Sequence, residues 1–204
     1  MFGMGRVLKS MGIAAALFTA AFGANSASAS EAFMTTGGLT SQPIGHYELC
    51  KRMPEECSIR SRNIMPEKMS HDFWQLIVNV NSDVNQKIKP LTDKEIYGVE
   101  EYWAYPDKVG DCEDYVLLKR RDLMQQGISP ANLLITVVRK PDGEGHAVLT
   151  VRTDKGDFVL DNLVDGVKNW SETEYTYLKR QATNNTGRWV SIEAPSNILV
   201  GSVQ

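Results

Sequence analysis

The amino-acid sequence predicts an α+β fold, and three observations lead there. Residues 71–88 (HDFWQLIVNVNSDVNQKI) place Phe73, Leu76, Ile77, Val80 and Val84 at helical spacing. A second run of helix formers, VLLKRRDLMQQG, starts just after Cys112-Glu113-Asp114-Tyr115 and is closed by Gly127. From Leu133 to Ile192 the chain turns β-branched, with turn residues between the apolar stretches.

The 204 residues can bury an ordinary hydrophobic core, and 42% apolar with 23% charged residues is the balance of a soluble globular protein. A net charge of −3 gives no electrostatic footprint for nucleic acid or an anionic membrane. The first residues read as a leader. Arg6 and Lys9 precede an apolar run from Met11 to Gly23, and Ala27-Ser28-Ala29 is a small-residue cleavage pattern. A run that short falls below the roughly 20 residues a membrane-spanning helix needs. Residues 1–29 are therefore expected to be a secretory signal peptide, and residues 30–204 a single exported domain.

Export sets the expectation for the three cysteines, because oxidising compartments favour pairing. Cys50 and Cys57 flank Pro54 in HYELCKRMPEECSIR, and a disulfide between them closes a small loop; two reduced thiols are the alternative. No second Cys or His pair with ligand spacing supports a metal site there. Cys112 is then left without a partner, which makes it a candidate reactive thiol.

Its surroundings point to nucleophilic chemistry. Gly110-Asp111 is a helix entry, with Asp111 as N-cap and Asp114 three residues on in capping-box spacing. Cys112 falls on the first helical position, where free N–H groups and the positive helix end favour a thiolate. Asp111, Glu113 and Asp114 crowd negative charge against that thiolate, so an imidazolium is needed to hold it. Of three histidines, His46 precedes the cysteine pair and His71 opens the first amphipathic helix. His146 follows a glycine-rich loop and starts the strand AVLTVR. The turn Thr153-Asp154-Lys155-Gly156 leads into a second strand, DFVLDNL, making a hairpin in which Arg152 faces Asp157. Continued backwards, that register makes His146 and Asp161 diagonal neighbours on one face, about 7–8 Å apart along the backbone and within reach of long side chains. A slip of one residue would separate them. A carboxylate so placed fixes the tautomer of the imidazole, which can then deprotonate the thiol.

Tyr102-Trp103 with Pro106, then GDCEDYVLLKR, GHAVLTV and DFVLDN, in this order and spacing, resemble the bacterial transglutaminase-like cysteine peptidases, including the LapG-type periplasmic adhesin proteases. The resemblance runs from about Cys50 to Ile192. It implies a papain-like, transglutaminase-like core, with a cysteine at a helix N-terminus packed on an antiparallel sheet that carries histidine and aspartate. Carried over by position, Cys112 is the nucleophile, His146 the general base and then acid, and Asp161 the orienting group. It also implies a periplasmic location, a protein substrate such as a large surface adhesin, and an inner-membrane regulator. No cofactor is required, but LapG-type relatives bind calcium beside the nucleophile, where Glu113 and Asp114 stand here. Calcium takes six to eight oxygens, so backbone carbonyls and water would complete the set. The stretch Ala104–Val109 is shorter than the adhesin-cleaving pattern implies. Two other functions share these residues: an acyltransferase of transglutaminase type, and a non-catalytic calcium-dependent binding module.

In the remainder, Leu133–Val138 reads as a buried central strand, and Arg188–Ile192 as a last strand after the turn at Thr183–Gly187. WSETEYTYLKRQ shows no clear period and reads as loop and short helix. Trp170, Tyr175, Tyr177 and Trp189 are assigned mostly to packing, and the Cys112 backbone N–H is the one oxyanion donor that can be named.

Overall fold

The computed structural model describes Met1 and residues 32–193; the expected leader and the tail after Ser196 lie outside the described residues. Among the described residues, five α-helices and a seven-stranded sheet build the fold. The helices are α1 (Ile44–Arg52), α2 (Pro54–Cys57), α3 (His71–Lys87), α4 (Asp93–Tyr97) and α5 (Cys112–Gln125). The strands are β1 (Thr36–Thr40), β4 (Leu133–Arg139), β5 (Gly145–Thr153), β6 (Gly156–Leu160), β7 (Lys168–Asn169), β8 (Thr176–Ala182) and β9 (Asn185–Ile192). They run in the order β1-β9-β8-β4-β5-β6-β7, every pairing antiparallel. A separate two-stranded parallel ribbon joins β2 (Lys89–Pro90) to β3 (Val109–Gly110).

The first amphipathic helix forms as its periodicity predicts. Ser70 caps α3 by accepting from the Phe73 N–H at 3.1 Å, and Phe73, Ile77 and Val84 are buried. Phe73 and Ile77 pack with Val116, Leu117 and Leu123 of α5 against Leu133, Ile135, Ala147, Leu149, Val151 and Leu160 of the sheet, while Val84 joins Ile88, Tyr115 and Leu118 in a smaller cluster. Val138, Val148, Val159, Trp170, Tyr177 and Ile192 form a second cluster. Along β5, Ala147, Leu149 and Val151 therefore join one cluster and Val148, between Ala147 and Leu149, joins the other, as the two-residue period of a strand requires.

β4 stands at the centre of the sheet, consistent with its continuous apolar run. The hairpin of β5 and β6 has the expected register, Arg152 opposite Asp157, and continues to Thr153 opposite Gly156. Gly156 has φ +137, and a Cβ there would come within 2.7 Å of the Ala32 carbonyl oxygen. The segment WSETEYTYLKRQ departs from the expectation of loop and short helix. Only Trp170–Glu172 makes a helical turn, of 3-10 type, and Thr176–Ala182 is strand β8, paired with β4 and β9. Its alternation is obscured because Arg180 and Gln181 are buried polar residues: Arg180 pairs with Asp157 at 3.4 Å, and Gln181 donates to the Thr186 carbonyl at 2.7 Å.

Candidate active site

Cys112 is the first residue of α5, with Asp111 at the N-cap. The expected capping box is not made: the Asp111 side chain forms no capping bond. It accepts from the Asp93 N–H at 3.1 Å, while Asp114 Oδ1 accepts from the Ala104 N–H at 2.8 Å. The β2–β3 ribbon brings residues 91–104 back against the helix entrance, and their inward N–H groups take these carboxylates as acceptors. Gly110 permits the close approach, since a Cβ there would lie 2.8 Å from Asp114 Cβ.

Cys112 is half-buried at one wall of a groove of about 290 Å³ that is also lined by Pro43, Glu101, Trp103, Val137, Gly145 and His146. Its thiol donates to Glu113 Oε2 at 3.2 Å. Burial first, and then the Glu113 carboxyl, push the thiol well above its ordinary pKa, while a backbone hydrogen bond from Ala147 works the other way. The favourable helix end read from the sequence is thus outweighed by desolvation and acidic neighbours.

His146 is the second residue of β5, beside this groove, and Asp161 follows the last residue of β6. The hairpin register brings them together as the sequence predicts. His146 Nε2 and Asp161 Oδ1 lie 2.9 Å apart, with both side chains almost fully buried. Asp161 Oδ1 also accepts from the Leu163 N–H at 3.0 Å, and Oδ2 from the Tyr175 hydroxyl at 2.6 Å. Burial alone would raise this carboxyl, but His146, Leu163 and Tyr175 outweigh it and hold Asp161 below the usual carboxylate range. Asn85 of α3 donates to the Asp161 backbone carbonyl at 2.9 Å and so anchors its position. With Nε2 committed to Asp161, Nδ1 is left for the groove.

The other two histidines stand apart from this pair. His71 is an exposed first-turn residue of α3. His46 is buried between Trp103 and Trp189, with ring centroids at 5.5 and 5.3 Å, and accepts from Trp189 Nε1 at 3.3 Å. Burial drives its pKa down to about 4. Cys50 and Cys57 are joined in a disulfide beside it, as the export argument expects.

The acidic residues group differently from the expected Glu113 and Asp114. Asp114 is fully buried and turned to Ala104; Glu113 is joined by Asp93 and Asp111. These three offer carboxylate oxygens within 4.8 Å of one another. Burial, followed by the hydrogen bond that the protonated Glu113 carboxyl donates to Asp111, pushes Glu113 up to about 10, so it is protonated near neutral pH when no cation is present. Oδ1 of Asp93 and Oδ1 of Asp111 are buried with no hydrogen-bond partner among the described residues. Acceptor oxygens without donors are what a hard divalent cation satisfies, so this donor set fits one. Asp93 had no sequence signal linking it to Asp111; only the ribbon brings the two together.

A family model of the bacterial transglutaminase-like cysteine proteinases matches residues 36–197. The chain belongs to that family. Among solved structures, calcium-bound LapG of Legionella pneumophila is 25% identical with a TM-score of 0.50, covering 64% of this chain and 76% of that one. A second Legionella pneumophila LapG structure is 26% identical at a TM-score of 0.49, covering 61% and 71%. A comparison with curated proteins found no match. The proteinase family and the LapG likeness agree with the architecture described above: a mixed α+β fold with a cysteine-initiated helix against an antiparallel sheet.

Proposed function

We propose that the chain is an exported cysteine endopeptidase with Cys112 as nucleophile, His146 as general base and acid, and Asp161 as orienting group. The observation that supports this best is the buried 2.9 Å contact of His146 Nε2 with Asp161 Oδ1 at the edge of the groove that holds Cys112. The Cys112 thiol gives its proton to His146 Nδ1 as sulfur attacks the scissile carbonyl carbon. The Cys112 backbone N–H, at the first position of the helix where no intrahelical acceptor exists, is the donor assigned to the oxyanion. Collapse of the tetrahedral species returns the Nδ1 proton to the leaving amine and leaves a thioester. Water, deprotonated by the same imidazole, then hydrolyses the thioester and regenerates the thiol. Asp161 holds the ring and stabilises the imidazolium throughout.

The cation is proposed to be calcium, held by Asp93, Asp111 and Glu113; the calcium-bound form of the Legionella relative supports that choice. When bound it supplies positive charge that offsets the acidic crowding beside Cys112. We further propose that residues 1–29 are removed on export to the periplasm and that residues 30–204 act as one domain on a protein substrate. The sequence resemblance favours a surface adhesin, and an inner-membrane regulator, over other partners.

The test is proteolysis of a panel of unfolded and repeat-rich surface proteins by the mature chain with calcium present, alongside Cys112→Ala. Cleavage abolished by Cys112→Ala is the expected result; cleavage that survives would remove Cys112 from the reaction. A primary amine added in excess separates hydrolysis from acyl transfer, because an acyltransferase would incorporate it into the product.

A further inference from the structure

We propose that Tyr175 is a positioning residue for the His146–Asp161 pair, acting through the second oxygen of the carboxylate. This inference rests on the catalytic reading above and deepens it. Tyr175 immediately precedes β8, two strands away from the His146 strand β5, with β4 between them. From there its hydroxyl donates to Asp161 Oδ2 at 2.6 Å, at the end of β6. On the way its ring meets the His146 imidazole edge-on, with centroids 5.6 Å apart. One side chain therefore touches both members of the pair.

The three hydrogen bonds to Asp161 divide unevenly. His146 and the Leu163 N–H share Oδ1, whereas among the described residues Tyr175 alone donates to Oδ2. Without the phenol, a nearly buried carboxylate oxygen would lack a partner and the carboxylate could rotate about its own bond. Rotation would break the alignment of Oδ1 with Nε2, and the imidazole would lose its fixed tautomer. A charge-assisted O–H···O⁻ bond of this length belongs to the strong class.

The approach to Tyr175 is itself fixed. Thr173 Oγ1 donates to the Trp170 carbonyl at 2.8 Å and lies 2.9 Å from the Tyr177 hydroxyl, and Tyr177 packs edge-on against Trp170 at 5.2 Å. A neighbouring cavity of about 200 Å³, lined by Asp161, Lys168, Glu172, Thr173, Glu174 and Tyr175, opens beside the phenol. Rigid support beneath a side chain next to open space suits a positioning role better than a space-filling one.

The experiment is a double-mutant cycle on Cys112 alkylation by iodoacetamide at one neutral pH, with calcium in every sample. The proteins are the mature chain, Tyr175→Phe, Asp161→Asn, the double variant and His146→Ala. Tyr175→Phe keeps the ring against His146 and removes only the hydroxyl. It should slow alkylation about tenfold, within the range of one charged hydrogen bond, and lower the melting temperature by only about a few degrees, leaving the chain folded at the assay temperature. In the Asp161→Asn background it should add nothing, because the oxygen it positions no longer carries the charge. Equal slowing in both backgrounds, or none in either, overturns the proposal. The exchange-protected His146 Nε2–H proton, read by NMR, gives an independent measure: it should weaken in Tyr175→Phe and survive if the role is merely packing. Failure of the catalytic reading looks different, since the unaltered chain and His146→Ala would then alkylate at the same ordinary-thiol rate.

Discussion

Replacing Cys50 and Cys57 with alanine tests how the N-terminal part of the fold is held. The two residues are separated by 7 positions, so the ring they close holds about eight residues. For a loop of that length the chain-entropy relation gives about 8 cal/mol/K, or about 2.5 kcal/mol at room temperature. For a domain of this size that corresponds to a fall in Tm of about 5–10 °C. The loop also sits where native contacts converge. Two residues after Cys57, the Ile59 N–H donates to Thr186 Oγ1 at 3.2 Å, and His46 Nδ1 lies 3.5 Å from Cys50 Sγ. The assay is urea unfolding of the mature chain and the double variant, with Cys112 blocked in both. A loss near 2.5 kcal/mol with an unchanged denaturant slope supports the entropic account. A change no larger than about 0.5 kcal/mol would refute it, because the bridge would then be constraining nothing in the unfolded chain.

Asp161→Asn should leave the fold intact and reduce turnover on the order of a thousandfold, since an amide at that place can hold His146 in the wrong tautomer; circular dichroism and turnover measured together check this. Chelation of calcium should lower both Cys112 reactivity and Tm, and Asp93→Asn should abolish the Tm response to added calcium; a Tm indifferent to the ion would remove the site. In the calcium-free protein Asp93→Asn should instead raise Tm slightly, because one of three clustered acidic groups is neutralised. His46 predicts a pH dependence. Its folded pKa of about 4 lies below the unfolded value, so its contribution is complete above roughly pH 6.5 and is lost as pH falls toward 4, on the order of 3 kcal/mol in all. Unfolding free energies of the mature chain and His46→Gln at several pH values should converge as the pH falls; parallel curves would contradict the burial argument.

Much of the site was legible because its distances in sequence are short. His146 and Asp161 lie 15 residues apart in one hairpin, and a turn at Asp154-Lys155 fixes their register once the strands pair. Cys112 was legible from its helix entry and its lack of a cysteine partner. The acidic cluster was not, because Asp93 lies 18 residues from Asp111 and reaches it only through the β2–β3 ribbon, each strand of which is two residues long. Such short strands leave no periodicity to read. Strand β8 was missed for another reason: buried Arg180 pairs with Asp157 and buried Gln181 accepts from the Ile135 N–H, partners remote in sequence, so hydrophobic alternation gives the wrong burial.

The amino-acid sequence by itself determined the helix that begins at Cys112, the hairpin register that joins His146 to Asp161, and the membership of four ordered motifs in one family pattern. These depend on local propensity and on a period of two along paired strands. The tertiary structure alone decided the balance of charge around the sulfur. The Asp111 side chain was free to cap its own helix, and it turned to Asp93; Asp114 turned to Ala104; Tyr175, just before β8, reached across to the carboxylate at the end of β6. Each of these is a choice among hydrogen-bond partners, and a buried donor or acceptor is satisfied by whichever partner the assembled fold brings within about 3 Å.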